Sequence, residues 1–338
     1  MRYLTGDDVL AAVQHTDPVT VVSDTLLLHA EGRTTLPEEA CLGWQTTGGA
    51  TARSLVLPGA LWGAEPALGV KIINSSLANP DRGIPRANGL IVLFDRETAR
   101  PVAIMHAAHL SALRTSAYTA LSVRLLGPPA PAKIAVIGAG ALGQAHLRLL
   151  APRCPGAWFA VHDHLPHRRD ELVSTMNAEG LPCRPAHTAQ DAVRDAGIVI
   201  TTTTTTTGYL PYGWLAPGAL VAHVSLDDVL PDVVKLADLV IVDDWPLVAA
   251  DGKRLAGRMY RSGELLGPGG ETYDVAAPTA RRVDATLADI VSGRHPGRRS
   301  PDQIVLSNPF GMGILDVAMG AEVLRVAVGL GLGTLLPS

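Results

Sequence analysis

An apolar strand, a glycine-rich turn and a helix follow one another without a gap in KIAVIGAGALGQAHLRLL, residues 133–150. Gly138, Gly140 and Gly143 stand there in a GxGxxG frame. No other feature constrains the fold as strongly. In such a frame one glycine makes the tight turn and the second lets backbone N–H groups approach a pyrophosphate. The third lets the helix pack close to the sheet, with the helix N-terminus facing the anion. The frame alone is a weak signal, but an apolar strand before it and a helix after it are the context it requires. Asp163 lies 20 residues past Gly143, closing a second apolar run, AWFAVHD. A carboxylate at that point holds a ribose 2′-hydroxyl and repels a 2′-phosphate, so NAD is the expected cofactor. NADP stays possible, because His164, Arg168 and Arg169 are close in sequence and could accept the phosphate.

Three later runs, AGIVITTTT (196–204), GALVAHVSL (218–226) and LADLVIVDD (236–244), are apolar and β-branched. That pattern suits parallel strands buried on both faces. It places the seven threonines at 201–207, which resemble a low-complexity linker, inside a Rossmann domain. Threonine is β-branched, so the first few are expected to continue the strand. The others are expected to form the loop at its carboxyl end, where open α/β sheets bind ligands. The expected cofactor-binding set is Gly138, Ala139, Gly140, Ala141, Leu142, Gly143, Asp163, His164, Thr202, Thr203, Thr204 and Ser225.

Ahead of this region the pattern differs. Residues 7–31 carry helical spacing in two helices broken near Pro18. From about 50 to 105 the runs are short and strand-like (SLVLPGAL, LGVKIIN, GLIVLFD, PVAIMHAA), separated by turns such as NPDRGIP and DRETARP. This reads as an α+β domain with an antiparallel sheet. A helix, LSALRTSAYTALSVRLL, follows and ends at GPPAPAK (127–133), the best domain boundary in the chain. The fold class is therefore α/β: a Rossmann NAD(P)-binding domain plus an α+β domain.

With 338 residues, 47% hydrophobic and 18% charged, the chain is long enough for two real cores. The net charge of −4 and scattered Lys and Arg give no footprint for nucleic acid. Cys41, Cys154 and Cys183 are far apart, so neither a metal site nor a disulfide framework is expected. No apolar run reaches the roughly 18 residues of a membrane span. MRYLTGDDVLAAVQ meets acidic residues at once, unlike a signal peptide. A cytoplasmic location is expected.

The segments LGVKIINSSLANPDRGIPRANGLIVLFDRETARP, SALRTSAYTAL and KIAVIGAGALGQAH, in that order, resemble the ornithine cyclodeaminase/μ-crystallin family over nearly the whole chain. GIPRA, VSLDDVLPDVV…VDDW and NPFGMGILD are closer to one branch of it, the N-(2-amino-2-carboxyethyl)-L-glutamate dehydrogenases. The resemblance implies a homodimer acting on a small amino acid. It implies a substrate and dimerisation domain of residues 1–126 with 312–338, and a Rossmann domain of 127–311. The chemistry it implies is hydride exchange between NAD(P) and the Cα–N bond of an amino acid or its imine. In the dehydrogenase branch the iminium is then hydrolysed, within specialised amino-acid, siderophore or antibiotic precursor biosynthesis. Cyclodeaminase, imine reductase and a non-catalytic cofactor-binding role are the alternatives.

Carried over position by position, the resemblance makes Lys71 and Arg114 holders of the substrate carboxylate and Asp228 the catalytic acid/base. Arg53 and Arg86 match basic positions of the dehydrogenase branch. Plainer readings stay open: a solvated Lys71, a structural ion pair at Arg114, surface roles for Arg53 and Arg86, a loop cap at Asp228, with Asp227 its neighbouring rival. The chain departs from the family pattern in three places, one of them the run after DDW, which reads PLVAADGK where the dehydrogenase branch has His-Val-Cys. His106 stands where a carboxylate is usual, and Glu38 and Glu39 stand where a basic residue is usual. All three departures bear on the substrate.

Overall fold

A computed structural model describes residues 1–337, and the chain forms two compact units. The first is Met1–Arg114 with Gly311–Ser338, and the second is Thr115–Phe310. The chain passes from one to the other inside a single helix, Ala108–Leu126, so the Gly/Pro stretch at 127–133 lies within the second unit.

In the first unit, the strands Thr51–Leu61, Ala67–Ser76, Ala87–Phe94 and Pro101–His106 form an antiparallel meander. Ala40–Gln45 pairs antiparallel with Thr51–Leu61. The meander was expected from the alternating pattern; the parallel addition of Arg2–Leu4 along Pro101–His106 was not. Two helices were expected near the start, and Gly6–Val13 and Pro18–Ala30 form, with Pro18 at the first helical position of the second. Proline is tolerated there because the first N–H groups of a helix have no intrahelical acceptor.

The apolar C-terminal helix, Gly313–Gly329, lies on this sheet at close range. A Cβ on Gly313 would come 2.5 Å from the Pro58 carbonyl oxygen, and one on Gly59 would come 2.8 Å from the Ile314 nitrogen. Two glycines therefore let the helix backbone rest on the strand. They bring Asp316, on the first turn of that helix, down to the inward face of the strand that carries Lys71.

The second unit is built on a wholly parallel eight-stranded sheet. Lys133–Ile137 pairs with Trp158–His162 on one side and with Ile198–Thr201 on the other. The chain runs outward through Cys183–Pro185 and then crosses back, so the strand order reverses between Lys133–Ile137 and Ile198–Thr201. That reversal opens a crevice at the carboxyl ends of these two strands. Ile198–Ile200, Leu220–Ala222 and Leu239–Val242 are all buried, as their β-branched composition leads one to expect.

Candidate active site

The glycine turn and the threonine run meet at this crevice. Gly138 follows the strand directly with φ 109°, in the left-handed region that favours glycine. A Cβ on it would lie 2.7 Å from the Thr202 hydroxyl oxygen, and one on Gly143 would lie 2.1 Å from the Gly138 carbonyl oxygen. The chain itself therefore requires two of the three glycines. Gly140 is different: nothing lies within 4 Å of its Cβ position, and it caps the helix Ala141–Leu150. The N–H groups of Ala141 and Leu142 begin that helix without intrahelical acceptors, so an open, electropositive helix end faces the space at Gly140.

Asp163, just past Trp158–His162, accepts hydrogen bonds from the backbone N–H groups of Ala139 (2.8 Å) and Leu165 (2.9 Å). It is thereby tied to the glycine turn. His164 is exposed, with Nδ1 3.1 Å from the Asp163 carboxylate. Arg169 is held by Asp170 through Nε at 2.7 Å and Nη2 at 3.1 Å. A turn, an open helix end and a carboxylate on the next strand fit a dinucleotide. Asp163 facing the site and Arg169 committed to Asp170 both weigh toward the form without a 2′-phosphate.

The threonines divide into separate jobs. Only Thr201 belongs to the strand, which corrects the expectation that several would continue it. The Thr202 N–H still donates to the Ile137 carbonyl at 2.8 Å, and the chain leaves the neighbouring strand beyond it. The Thr202 hydroxyl donates to the carbonyls of Ile137 (3.1 Å) and Gly138 (3.0 Å), bracing the glycine turn. The Thr203 hydroxyl donates to Asp228 Oδ1 at 2.8 Å. Thr204 is exposed, and Thr205 and Thr207 close a turn through the Thr205 hydroxyl.

Asp228 follows the strand Leu220–His223 and is fully buried. A buried carboxylate is costly unless its oxygens are hydrogen-bonded, and here both are. Oδ1 accepts from Thr203 and from the Tyr209 hydroxyl (2.7 Å), and Oδ2 accepts from Ser225. Burial, and then the Asp228 charge, push the Tyr209 phenol above its ordinary pKa, so it stays a donor. The Ser225 hydroxyl also lies 2.8 Å from that of Thr201, which ties the nest back to the strand end. Asp227, the rival by adjacency, is turned to Arg258, which grips it with two nitrogens at 2.9 and 3.2 Å.

In the first unit, Lys71 is 2% exposed, opposite Leu57 and Ile91 in the sheet. Its ammonium is 2.7 Å from Asp316 Oδ2 and donates to the Ser111 hydroxyl at 3.3 Å. Arg114 Nε donates to Asp316 Oδ1 at 2.9 Å. Two cations thus share one buried carboxylate, leaving a net positive charge on the trio. Burial, and then the Arg114 charge, lower the Lys71 pKa to about 8; Asp316 and, more weakly, Glu39 oppose the shift.

Arg53 pairs across the sheet with Ser75, and the N–H of Ser76 donates to the Arg86 carbonyl at 3.1 Å, so both arginines start from one end of the sheet. Burial, and then the charge of Arg53, lower the Arg86 pKa. His106 ends the strand Pro101–His106 and is exposed, opposite Leu90; Glu38 is exposed and Glu39 half-buried.

A profile of the ornithine cyclodeaminase/mu-crystallin family matches residues 12–328. The chain belongs to the ornithine cyclodeaminase/mu-crystallin family. This family member is 28% identical over 347 residues to N-((2S)-2-amino-2-carboxyethyl)-L-glutamate dehydrogenase of Staphylococcus aureus, across 99% of this chain and 98% of that protein. It is 39% identical to the crystal structure of CmnK, with a TM-score of 0.91 over 100% of this chain and 98% of that one. Delta(1)-pyrroline-2-carboxylate reductase of Thermococcus litoralis, solved with NADH and L-proline, is 21% identical with a TM-score of 0.86, over 99% and 100% of the two chains. That last likeness shows a common fold. The resemblance read from the sequence is thus borne out at the level of the family.

Sequence reasoning missed Asp316, Tyr209 and His223. Asp316 left a signal: an acid in the otherwise apolar GILDVAMG has to be paired if its helix is buried. Tyr209 and His223 left none, because their roles depend on two loops meeting.

Proposed function

We propose that this chain is an NAD-dependent dehydrogenase that acts on the Cα–N bond of an N-(carboxyalkyl)amino acid carrying at least two carboxylates. The observation that carries the reading is the pair Arg53 and Arg86. Both start from one end of the sheet and are half-buried, burial and then the charge of Arg53 lower the Arg86 pKa, and neither has an ion-pair partner among the described residues. Such a pair is stabilised by an anion, and charge-assisted bonds to a planar carboxylate are the natural fit. Lys71 and Arg114 are then the holders of the α-carboxylate, preset by Asp316. Holding both ends of the substrate is worth as much as roughly 7–11 kcal/mol of the barrier when the reacting geometry is right. Asp228 is the group that exchanges a proton with the amine nitrogen or with attacking water. When bound, the dinucleotide supplies hydride exchange at the Cα–N bond. Gly140, Ala141 and Leu142 would meet its pyrophosphate and Asp163 its ribose. The similarity to the Staphylococcus aureus dehydrogenase, whose name specifies a substrate with a carboxyethyl and a glutamate part, supports the same substrate class.

The test is NADH absorbance with purified protein, an N-(carboxyalkyl)amino acid and NAD, with NADP in parallel. Each bidentate arginine–carboxylate bond contributes about 1.5–3 kcal/mol, so Arg86→Ala should lose about 10- to 150-fold in kcat/KM on the dicarboxylate. Efficient conversion of ornithine to proline by the wild type, or full dicarboxylate turnover by Arg86→Ala, would overturn the reading.

A further inference from the structure

His223 is the last residue of the strand Leu220–His223 and is fully buried. Its Nε2 lies 3.2 Å from the backbone nitrogen of Asp228, and its Nδ1 lies 3.4 Å from Asn308 Oδ1. The amide of Asn308 is oriented by its own bond, Nδ2 donating to the His223 carbonyl at 3.3 Å, so its oxygen faces the ring. These bonds select one protonation state. Nε2 accepts from the Asp228 N–H and carries no proton; Nδ1 carries it and donates to Asn308. The ring is a neutral imidazole in a single tautomer.

We propose that His223 is a positioning residue for Asp228: its neutral ring holds the Asp228 backbone so that the carboxylate meets Thr203, Tyr209 and Ser225, and protonation of the ring releases it. The proposal rests on Asp228 being the proton-exchanging group. The bond explains why Asp228 and not Asp227 enters the nest of hydroxyls: one backbone N–H is anchored between two adjacent carboxylates, and Asp227 is drawn the other way by Arg258. The charged groups around the ring are Asp228, Asp227 and Arg254, the last bonded to the Phe310 carbonyl at 2.6 Å and stacked 3.7 Å from the Phe310 ring. Burial holds the imidazole below its ordinary pKa; the two aspartates oppose this and Arg254 adds to it. On protonation Nε2 changes from acceptor to donor and faces the Asp228 N–H donor to donor. The anchor is lost in one step, at the pH where this histidine titrates.

The experiment has two arms. In the first, ring nitrogens of isotope-labelled protein are followed by NMR, with His223→Gln identifying the signal. The ring should show the proton on Nδ1 at neutral pH. The Asp228 amide resonance should move in step with the ring's protonation. A ring protonated on Nε2 at neutral pH, or an Asp228 amide that ignores the titration, overturns the proposal without reference to any substrate. In the second, kcat is followed against pH. His223→Gln offers an oxygen at the position of Nε2 and does not titrate, so it should keep most of kcat and lose the acid limb that matches the ring titration. His223→Leu should lose about tenfold or more in kcat with little change in KM. An acid limb unchanged in His223→Gln overturns the proposal. A wild type inert on every N-alkyl amino acid overturns the enzymatic reading, while the first arm still decides the bond.

Discussion

Asp316 shows how much one side chain sets in the first unit. It neutralises one of two buried cations and orients both, Lys71 at 2.7 Å and Arg114 at 2.9 Å. Lys71, lowered to about 8 by burial and Arg114, should hold a substrate carboxylate only while it is protonated. KM for the amino acid should therefore rise as pH passes through about 8, with kcat less affected. The folding linkage has its own sign. Between about 8 and the ordinary lysine value the unfolded chain binds more protons, so this group alone makes the fold more stable as pH rises. Asp316→Asn removes the main opposition to the shift and should move the KM transition to lower pH. It should also cost about 3–5 kcal/mol in denaturant unfolding, because two buried cations then face each other uncompensated. A KM–pH profile identical in wild type and variant would refute the arrangement.

The strand–turn–helix element at 133–150 was legible because each glycine answers to local geometry. Its three glycines nevertheless have different reasons, which only the folded element separates. Gly143→Ala pushes a methyl into the Gly138 carbonyl at 2.1 Å. It should cost about 1–3 kcal/mol of stability, as overpacking does, and weaken cofactor binding through the displaced turn. Gly140→Val meets open space and an extended backbone (φ −86°, ψ −172°), so the fold should be kept within about 0.5 kcal/mol. Its side chain would occupy the room a pyrophosphate needs, and calorimetry should find NAD affinity at least about tenfold weaker. Unchanged affinity in Gly140→Val would refute the dinucleotide site. The threonine run shows the converse. Its β-branched composition placed it at a strand end, but Thr202 braces the turn while Thr203 serves Asp228, and that division comes from which loop each threonine happens to face.

At the scale of the whole chain, the first unit leaves apolar side chains exposed on its sheet. Every residue of Ala40–Gln45 is exposed, with Leu42 at 67% and Trp44 at 45%, and Leu90 and Val102 are exposed in the meander. Contiguous exposed apolar surface marks an interface, and an uncovered strand edge invites a second chain. We expect a dimer formed through this sheet. Light scattering at micromolar concentration should give twice the 35.4 kDa of the chain, and Leu42→Asp with Trp44→Asp should shift the mass to one copy. A monomeric wild type would contradict this. Among the described residues no helix is long and apolar enough to cross a membrane.

What the sequence determined by itself is what short-range physics controls. Glycines at fixed offsets, β-branched runs and alternating apolar residues specify a parallel sheet with a phosphate turn and an antiparallel meander, because φ preferences and side-chain periodicity act within a few residues. The tertiary structure alone decided which polar groups meet. Arg114 and Asp316 are 202 positions apart, and they touch because Gly59 and Gly313 let a helix settle onto a strand. Asp228 collects hydroxyls from two loops, and His223 anchors it through a backbone N–H that carries no side-chain signature. A hydrogen bond needs its partners within a few tenths of an ångström, and such distances between remote residues are set by packing of the whole core, not by any local pattern.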